Sequence, residues 1–167
     1  MAHRALLSVA VTFALFANGC ARLGVSQPSA DPSGRLDDGG VTVVAVLTVE
    51  PDGTGHVRAT FSPQKPGYHL YSIDLPPGGV NGLGIPTVVS VRGGLRVTGR
   101  PTADVPVSNL RIEELGVDLP VYPDGPVTVT VPVRRTRDGR VEVVVTYGAC
   151  SLTTCLPPIR DRPITLT

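Results

Sequence analysis

Two stretches of this chain alternate so regularly that they leave the backbone little choice. VTVVAVLTVE (Val41 to Glu50) and PVTVTVPV (Pro126 to Val133) are β-branched almost throughout. Two heavy atoms on Cβ restrict χ1 in a helix and pack well on a pleated surface, so such runs read as strands. The same texture recurs in HVRATF (His56 to Phe61), TVVSV (Thr87 to Val91) and RVEVVVTY (Arg140 to Tyr147). Turn signals separate these runs. PDGTG between VTVVAVLTVE and HVRATF makes a hairpin, and Asp138-Gly139 inside RRTRDGR reads as a second hairpin turn.

The remaining segments are weaker. YHLYSID (Tyr68 to Asp74) alternates and reads as a strand, LRVTG (Leu95 to Gly99) adds a short one, and RPITLT (Arg162 to Thr167) closes the chain. LPPGGVNGLGIP is a Pro/Gly loop. The region from Pro101 to Gly125 is the least regular and is expected to be a loop folded over one end of the domain. Seven or eight short strands with turn signals every 8 to 12 residues predict an all-β, immunoglobulin-like β-sandwich. With no Trp and no Cys pair at a sandwich-spanning distance, the usual internal markers of that fold are missing.

Alanine and leucine runs are confined to the first twenty residues. There, MAHR is a short positive start and ALLSVAVTFALFA an apolar stretch, too short for a bilayer-spanning helix of roughly 20 residues. Residues 1–19 are read as a signal peptide. The NGC that follows places Cys20 where a bacterial lipoprotein carries its lipid. Residues 20–40, rich in Ser, Pro, Gly and Asp, are expected to be a flexible tether, and 41–167 the folded domain. The expected location is extracytoplasmic, anchored by lipid to a bacterial membrane and facing the periplasm or cell surface, where disulfides persist. Net charge is +1, and fourteen scattered arginines with Lys65 as the only lysine make no footprint for nucleic acid.

Setting Cys20 aside leaves Cys150 and Cys155 with only each other, in VTYGACSLTTCLPP. Three readings stay open. A structural clip is weakly motivated, since a loop this short stabilises by about 2 kcal/mol against about 4 for a loop of roughly sixty residues. A metal site lacks ligands: zinc wants four, and outside the signal only His56 and His69 remain. No metal and no bound cofactor is expected. A redox pair needs two neighbouring thiols on an exposed turn. The polar linker SLTT and the φ-restricting Pro157-Pro158 suit that.

The motif YGACSLTTCLPP, with GYHLYSIDLPPGG upstream and VYPDGPVTVTVPV between, resembles the N-terminal domain of the thiol:disulfide interchange protein DsbD over approximately Val41 to Thr167. The resemblance implies an immunoglobulin-like domain whose Cys150 and Cys155 are catalytic. They would take electrons from a thioredoxin-like or membrane-embedded carrier and pass them to oxidised extracytoplasmic proteins. It also implies that Cys155 forms the mixed disulfides and Cys150 resolves them. The strand holding His69 and Tyr71, on one face by their two-residue spacing, is placed beside the cysteines, with Tyr147 supporting the motif. Gly148 stands where the family often has Gln, and Leu115 is the nearest apolar residue where it has an aromatic cap. With no membrane or thioredoxin module after the motif, the electrons are expected to come from separate proteins. The competing expectation is a non-catalytic sandwich lipoprotein, a binding or scaffold module, whose small disulfide only shapes a loop.

Overall fold

The computed structural model describes residues 31–167. The expected signal peptide (1–19), Cys20 and the first part of the expected tether lie outside the described residues. The strands are β1 (Ser33–Asp38), β2 (Val41–Val49), β3 (Thr54–Pro63), β4 (His69–Leu70), β5 (Val88–Gly93), β6 (Leu95–Val97), β7 (Thr102–Ala103), β8 (Ser108–Ile112), β9 (Val117–Val121), β10 (Val127–Arg135), β11 (Val141–Tyr147), β12 (Ala149–Cys150) and β13 (Ile159–Leu166), with a 3-10 turn at Glu113–Leu115. One sheet runs β1-β2-β3-β10-β6, with β7 also on β10, and the facing sheet runs β13-β11-β5. This is the expected all-β sandwich, built from more and shorter pieces than the turn signals alone count.

The alternation read from the sequence is the reason the two layers close. Val41, Val43, Ala45 and Leu47 of β2 turn inward while the residues between them stay half-buried. Val57, Ala59 and Phe61 of β3 and Val127, Val129, Val131 and Val133 of β10 continue that floor. Val143, Val145 and Tyr147 of β11 meet them from the other sheet, where the rings of Phe61 and Tyr147 pack edge to face at 5.5 Å. Each large side chain removed from water in this way contributes about 1.5 to 3 kcal/mol before chain entropy is set against it.

Four sequence expectations change here. The expected tether of residues 20–40 does not hold over its second half: Ser33–Asp38 is a strand, paired with β2 from Ser33↔Val46 to Asp38↔Val41. Its polar residues hide the pattern, but Leu36 packs on the core, and Gly34 lets the backbone close on β13, where an added Cβ would strike the Thr165 carbonyl. Asp138-Gly139 does not turn a hairpin, because β10 pairs with β3, β6 and β7 whereas β11 pairs with β13 and β5; the chain there arches from one sheet to the other. The irregular region holds an antiparallel hairpin, β8 with β9, whose turn Gly116 closes at φ 61°. YHLYSID is extended only at His69–Leu70, with Tyr71 making a single bridge to Val121.

The two ends of the sandwich differ. At one, Ser33 and Thr167 exchange main-chain hydrogen bonds of 3.1 and 3.0 Å. At the other, beyond the Tyr147 end of β11, a separate apolar cluster of Tyr71, Leu75, Leu119, Val121 and Cys150 gathers the small strands. It positions the cysteines.

Candidate functional site

β11 loses its register against β13 between Val145 and Tyr147, a bulge of the kind that re-aims a strand next to a site. The chain then bends at Gly148, whose carbonyl accepts from the Tyr71 amide at 3.3 Å. An added Cβ at Gly148 would lie 3.0 Å from Ile85 Cβ and 3.4 Å from Tyr71 Cδ2, so glycine here lets the Tyr71 ring come close. β12 follows at once and pairs with β4, Ala149 opposite Leu70 and Cys150 opposite His69.

Cys150 and Cys155 are joined by a disulfide. They face each other as an antiparallel bridge between two hydrogen bonds, Ser151 N to Thr154 O at 2.7 Å and Leu156 N to Ala149 O at 2.9 Å. They therefore occupy a non-hydrogen-bonded pair, the type in which facing side chains come nearest, and their Cα atoms are 4.0 Å apart. The turn supplies its own partners: Ser151 Oγ accepts from the amides of Thr153 (3.3 Å) and Thr154 (3.1 Å). A polar turn held this way stays in water. Leu152 at its tip is 87% exposed.

The two sulfurs have different surroundings. Cys150 is buried at 5% exposure, whereas Cys155 is exposed. Tyr71 Oη lies 3.3 Å from Cys150 Sγ, and because a disulfide sulfur carries no hydrogen, the phenol is the donor. Burial pushes the Tyr71 hydroxyl above its ordinary pKa, so it keeps its proton at neutral pH. Leu75 and Gly84 pack around the ring, and Thr87 Oγ1 donates to the Tyr71 carbonyl at 2.6 Å.

His69 shares that face, with its ring edge-on to Tyr71 at 6.3 Å. Its Nδ1 is 3.5 Å from Asp124 Oδ1, and Nε2 has no hydrogen-bond partner among the described residues. Burial lowers its pKa, and Asp124 opposes that by charge and hydrogen bond. Asp124 falls in the stretch the sequence reads only as a loop, because contacts between distant loops leave no local signal. Tyr147 stands further back, in the main core, where its hydroxyl donates to the Asp38 carbonyl at 2.9 Å. Its pKa is pushed up to about 12, first by burial and then by the Asp38 charge.

A cleft of about 600 Å³ opens over the disulfide. Tyr71 and both cysteines line it, Leu152 and its neighbours form one wall, and Leu110, Arg111, Ile112 and Glu114 form the other. Leu115, expected as the cap, is 58% exposed at the end of the 3-10 turn and is not among the cleft residues. Glu114 is the residue of that turn that reaches the cleft. Among the described residues no group of three or more His, Cys, Asp or Glu is placed to hold a metal ion.

A search of curated proteins finds no match. Among solved structures, the N-terminal periplasmic domain of ScsB from Proteus mirabilis superposes with a TM-score of 0.57 at 17% identity, covering 82% of this chain and 51% of that one. This chain thus spans about half the length of that domain. The N-terminal domain of DsbD from Neisseria meningitidis in its reduced form gives a TM-score of 0.45 at 20% identity, with 75% and 90% of the two chains covered. The first likeness supports the fold. The sequence itself matches the family model "Thiol:disulfide interchange protein DsbD, N-terminal" over residues 41–165, and the chain belongs to that family.

Proposed function

We propose that this protein carries out thiol:disulfide interchange outside the cytoplasm, with Cys155 as the exchanging sulfur and Cys150 as the resolving one. One observation supports the reading above the rest. The two linked sulfurs are unequal, Cys155 open to a cleft and Cys150 buried beneath a hydroxyl donor. Exchange proceeds by attack of a thiolate on a sulfur it can reach, so the exposed member is the one a partner meets.

In the dithiol form the Cys155 thiolate attacks a partner disulfide. One S–S bond breaks, a mixed disulfide forms, and the departing partner thiolate takes up a proton. Cys150, deprotonated, then attacks the Cys155 sulfur and releases the partner's second thiol. The partner gains two electrons and two protons, and Cys150-Cys155 is oxidised. The Tyr71 hydroxyl stabilises the negative charge on Cys150 during the second attack. Reduction back to the dithiol requires a separate electron donor, a thioredoxin-like protein or a membrane-embedded carrier. The relatives' N-terminal domains include one described as periplasmic, which agrees with the leader sequence, and Cys20 is proposed as the lipid anchor.

The test is a trap combined with a potential. Cys150→Ser should accumulate disulfide-linked partners in the host and Cys155→Ser should not. The pair should equilibrate with a glutathione or dithiothreitol redox buffer. A potential well below about −300 mV, together with no trapped partner from either variant, would instead make this a non-catalytic sandwich whose disulfide shapes a loop.

A further inference from the structure

The strands around the disulfide form a strip: β8 pairs with β9, Val121 of β9 bridges to Tyr71 after β4, β4 pairs with β12, and Cys150 of β12 faces Cys155. Tyr71 lies mid-strip at the floor of the cleft, and both ends of the strip line its walls, β8 through Leu110 to Ile112 and the cysteine arm through Ser151 to Cys155. The strip is a curl that does not close.

Its β8 end is an open strand edge. Among the described residues β8 pairs only with β9. The register fixes which groups are free. Asn109 faces Pro120, which has no amide hydrogen and whose carbonyl is taken by the Ser72 amide at 2.9 Å. Asn109↔Pro120 is therefore a pair without mutual hydrogen bonds, and by alternation so is Arg111↔Asp118. The amides and carbonyls of Asn109 and Arg111 point away from β9, and none has a partner among the described main-chain or side-chain hydrogen bonds. Open edges of this kind bind extended chain.

We infer that this edge is the docking rail for an extended segment of an oxidised partner protein. The segment adds as a strand beside β8, fills the gap in the curl, and presents its sulfur to Cys155. The inference rests on the exchange function proposed above, because that chemistry requires a partner's chain in the same cleft. Affinity then comes chiefly from main-chain hydrogen bonds, so the rail tolerates many sequences. The apolar side chains of Leu110, Ile112 and Leu152 receive alternate residues of the guest.

The experiment uses the Cys150→Ser variant and a short valine- and threonine-flanked peptide whose single cysteine is blocked as a mixed disulfide with thionitrobenzoate. The Cys155 thiolate attacks the peptide sulfur, the peptide–thionitrobenzoate bond breaks, a Cys155–peptide disulfide forms, and the coloured thionitrobenzoate anion leaves. Two peptide series carry backbone N-methyl groups at alternate positions, one parity per series. One parity should slow the reaction by about three- to tenfold, the loss of one or two hydrogen bonds, and the other should not. Arg111→Pro, which removes an amide not used in the β8–β9 ladder, should slow it similarly relative to Arg111→Ala. Exchange with glutathione disulfide, which adds no strand, should run at the same rate in Arg111→Pro as in Arg111→Ala. Equal rates for the two parities, and for Pro and Ala at 111, would overturn strand docking while leaving the exchange function standing. If Arg111→Pro fails to fold, the peptide parities decide alone. Failure of Cys155 to react with the peptide or with glutathione disulfide would overturn the exchange function itself.

Discussion

Replacing Tyr71 by Phe removes one hydroxyl and little else, since the ring keeps its packing against Leu75 and Gly84. In the oxidised protein that hydroxyl touches a neutral sulfur at 3.3 Å, so the disulfide form should lose less than ~1 kcal/mol of stability. In the proposed exchange the same contact meets a thiolate when Cys150 attacks. A hydrogen bond to a charged acceptor contributes about 1.5 to 3 kcal/mol, against about 0.5 to 1.5 for a neutral one. Losing it costs the thiolate about 1.4 kcal/mol relative to the thiol, which is roughly tenfold less thiolate. A more basic thiolate is also more nucleophilic, with a Brønsted slope of about 0.4 to 0.5, which recovers about threefold. The resolving step should therefore slow by about threefold. The assay mixes reduced protein with an excess of an aromatic disulfide that releases thionitrobenzoate. The first release reports attack by Cys155 and the second reports resolution by Cys150. Tyr71→Phe should leave the first phase unchanged and slow the second by about threefold. Equal second phases would refute the role of the hydroxyl, and a slowed first phase would refute the assignment of the two sulfurs.

Two further predictions concern the frame around the site. Gly34→Ala would push a methyl into the Thr165 carbonyl and to within 2.7 Å of Ile164 Cγ2; it should destabilise the oxidised protein by about 1 to 3 kcal/mol in chemical denaturation, and an unchanged midpoint would show that the β1–β13 seam relaxes freely. The Tyr147 hydroxyl holds its proton up to about pH 12 in the fold, whereas in the unfolded chain it ionises near 10. Between those values the unfolded state binds fewer protons, so stability should fall by about 2 to 3 kcal/mol as pH rises from 10 to 12. Melts of oxidised Tyr147→Phe should lack that part of the alkaline decline.

The central strands were legible because each buries one face: β2 and β10 alternate almost without fault, and the sandwich follows from such runs. The cysteine motif was legible because its spacing is local. What stayed hidden depends on distant partners. β1 looks like tether until Leu36 finds the core. The Asp138-Gly139 turn gives the same local signal whether the chain returns beside its neighbour or arches to the other sheet. Leu115 is the nearest apolar residue where the family has an aromatic cap, but Glu114 lines the cleft; which way a 3-10 turn faces is set by the hairpin beneath it. Asp124 joins His69 only through folding.

The seam between Ser33 and Thr167 has a use apart from stability. Because those two residues bond to each other at the end away from the disulfide, chain attached beyond either one leaves from the same pole. The domain is built like a plug with both leads at the back and the cysteine turn at the front. A tether, an anchor or another module can be spliced there, and a circular permutant joining the two residues by a short linker should fold with its cysteine turn unobstructed.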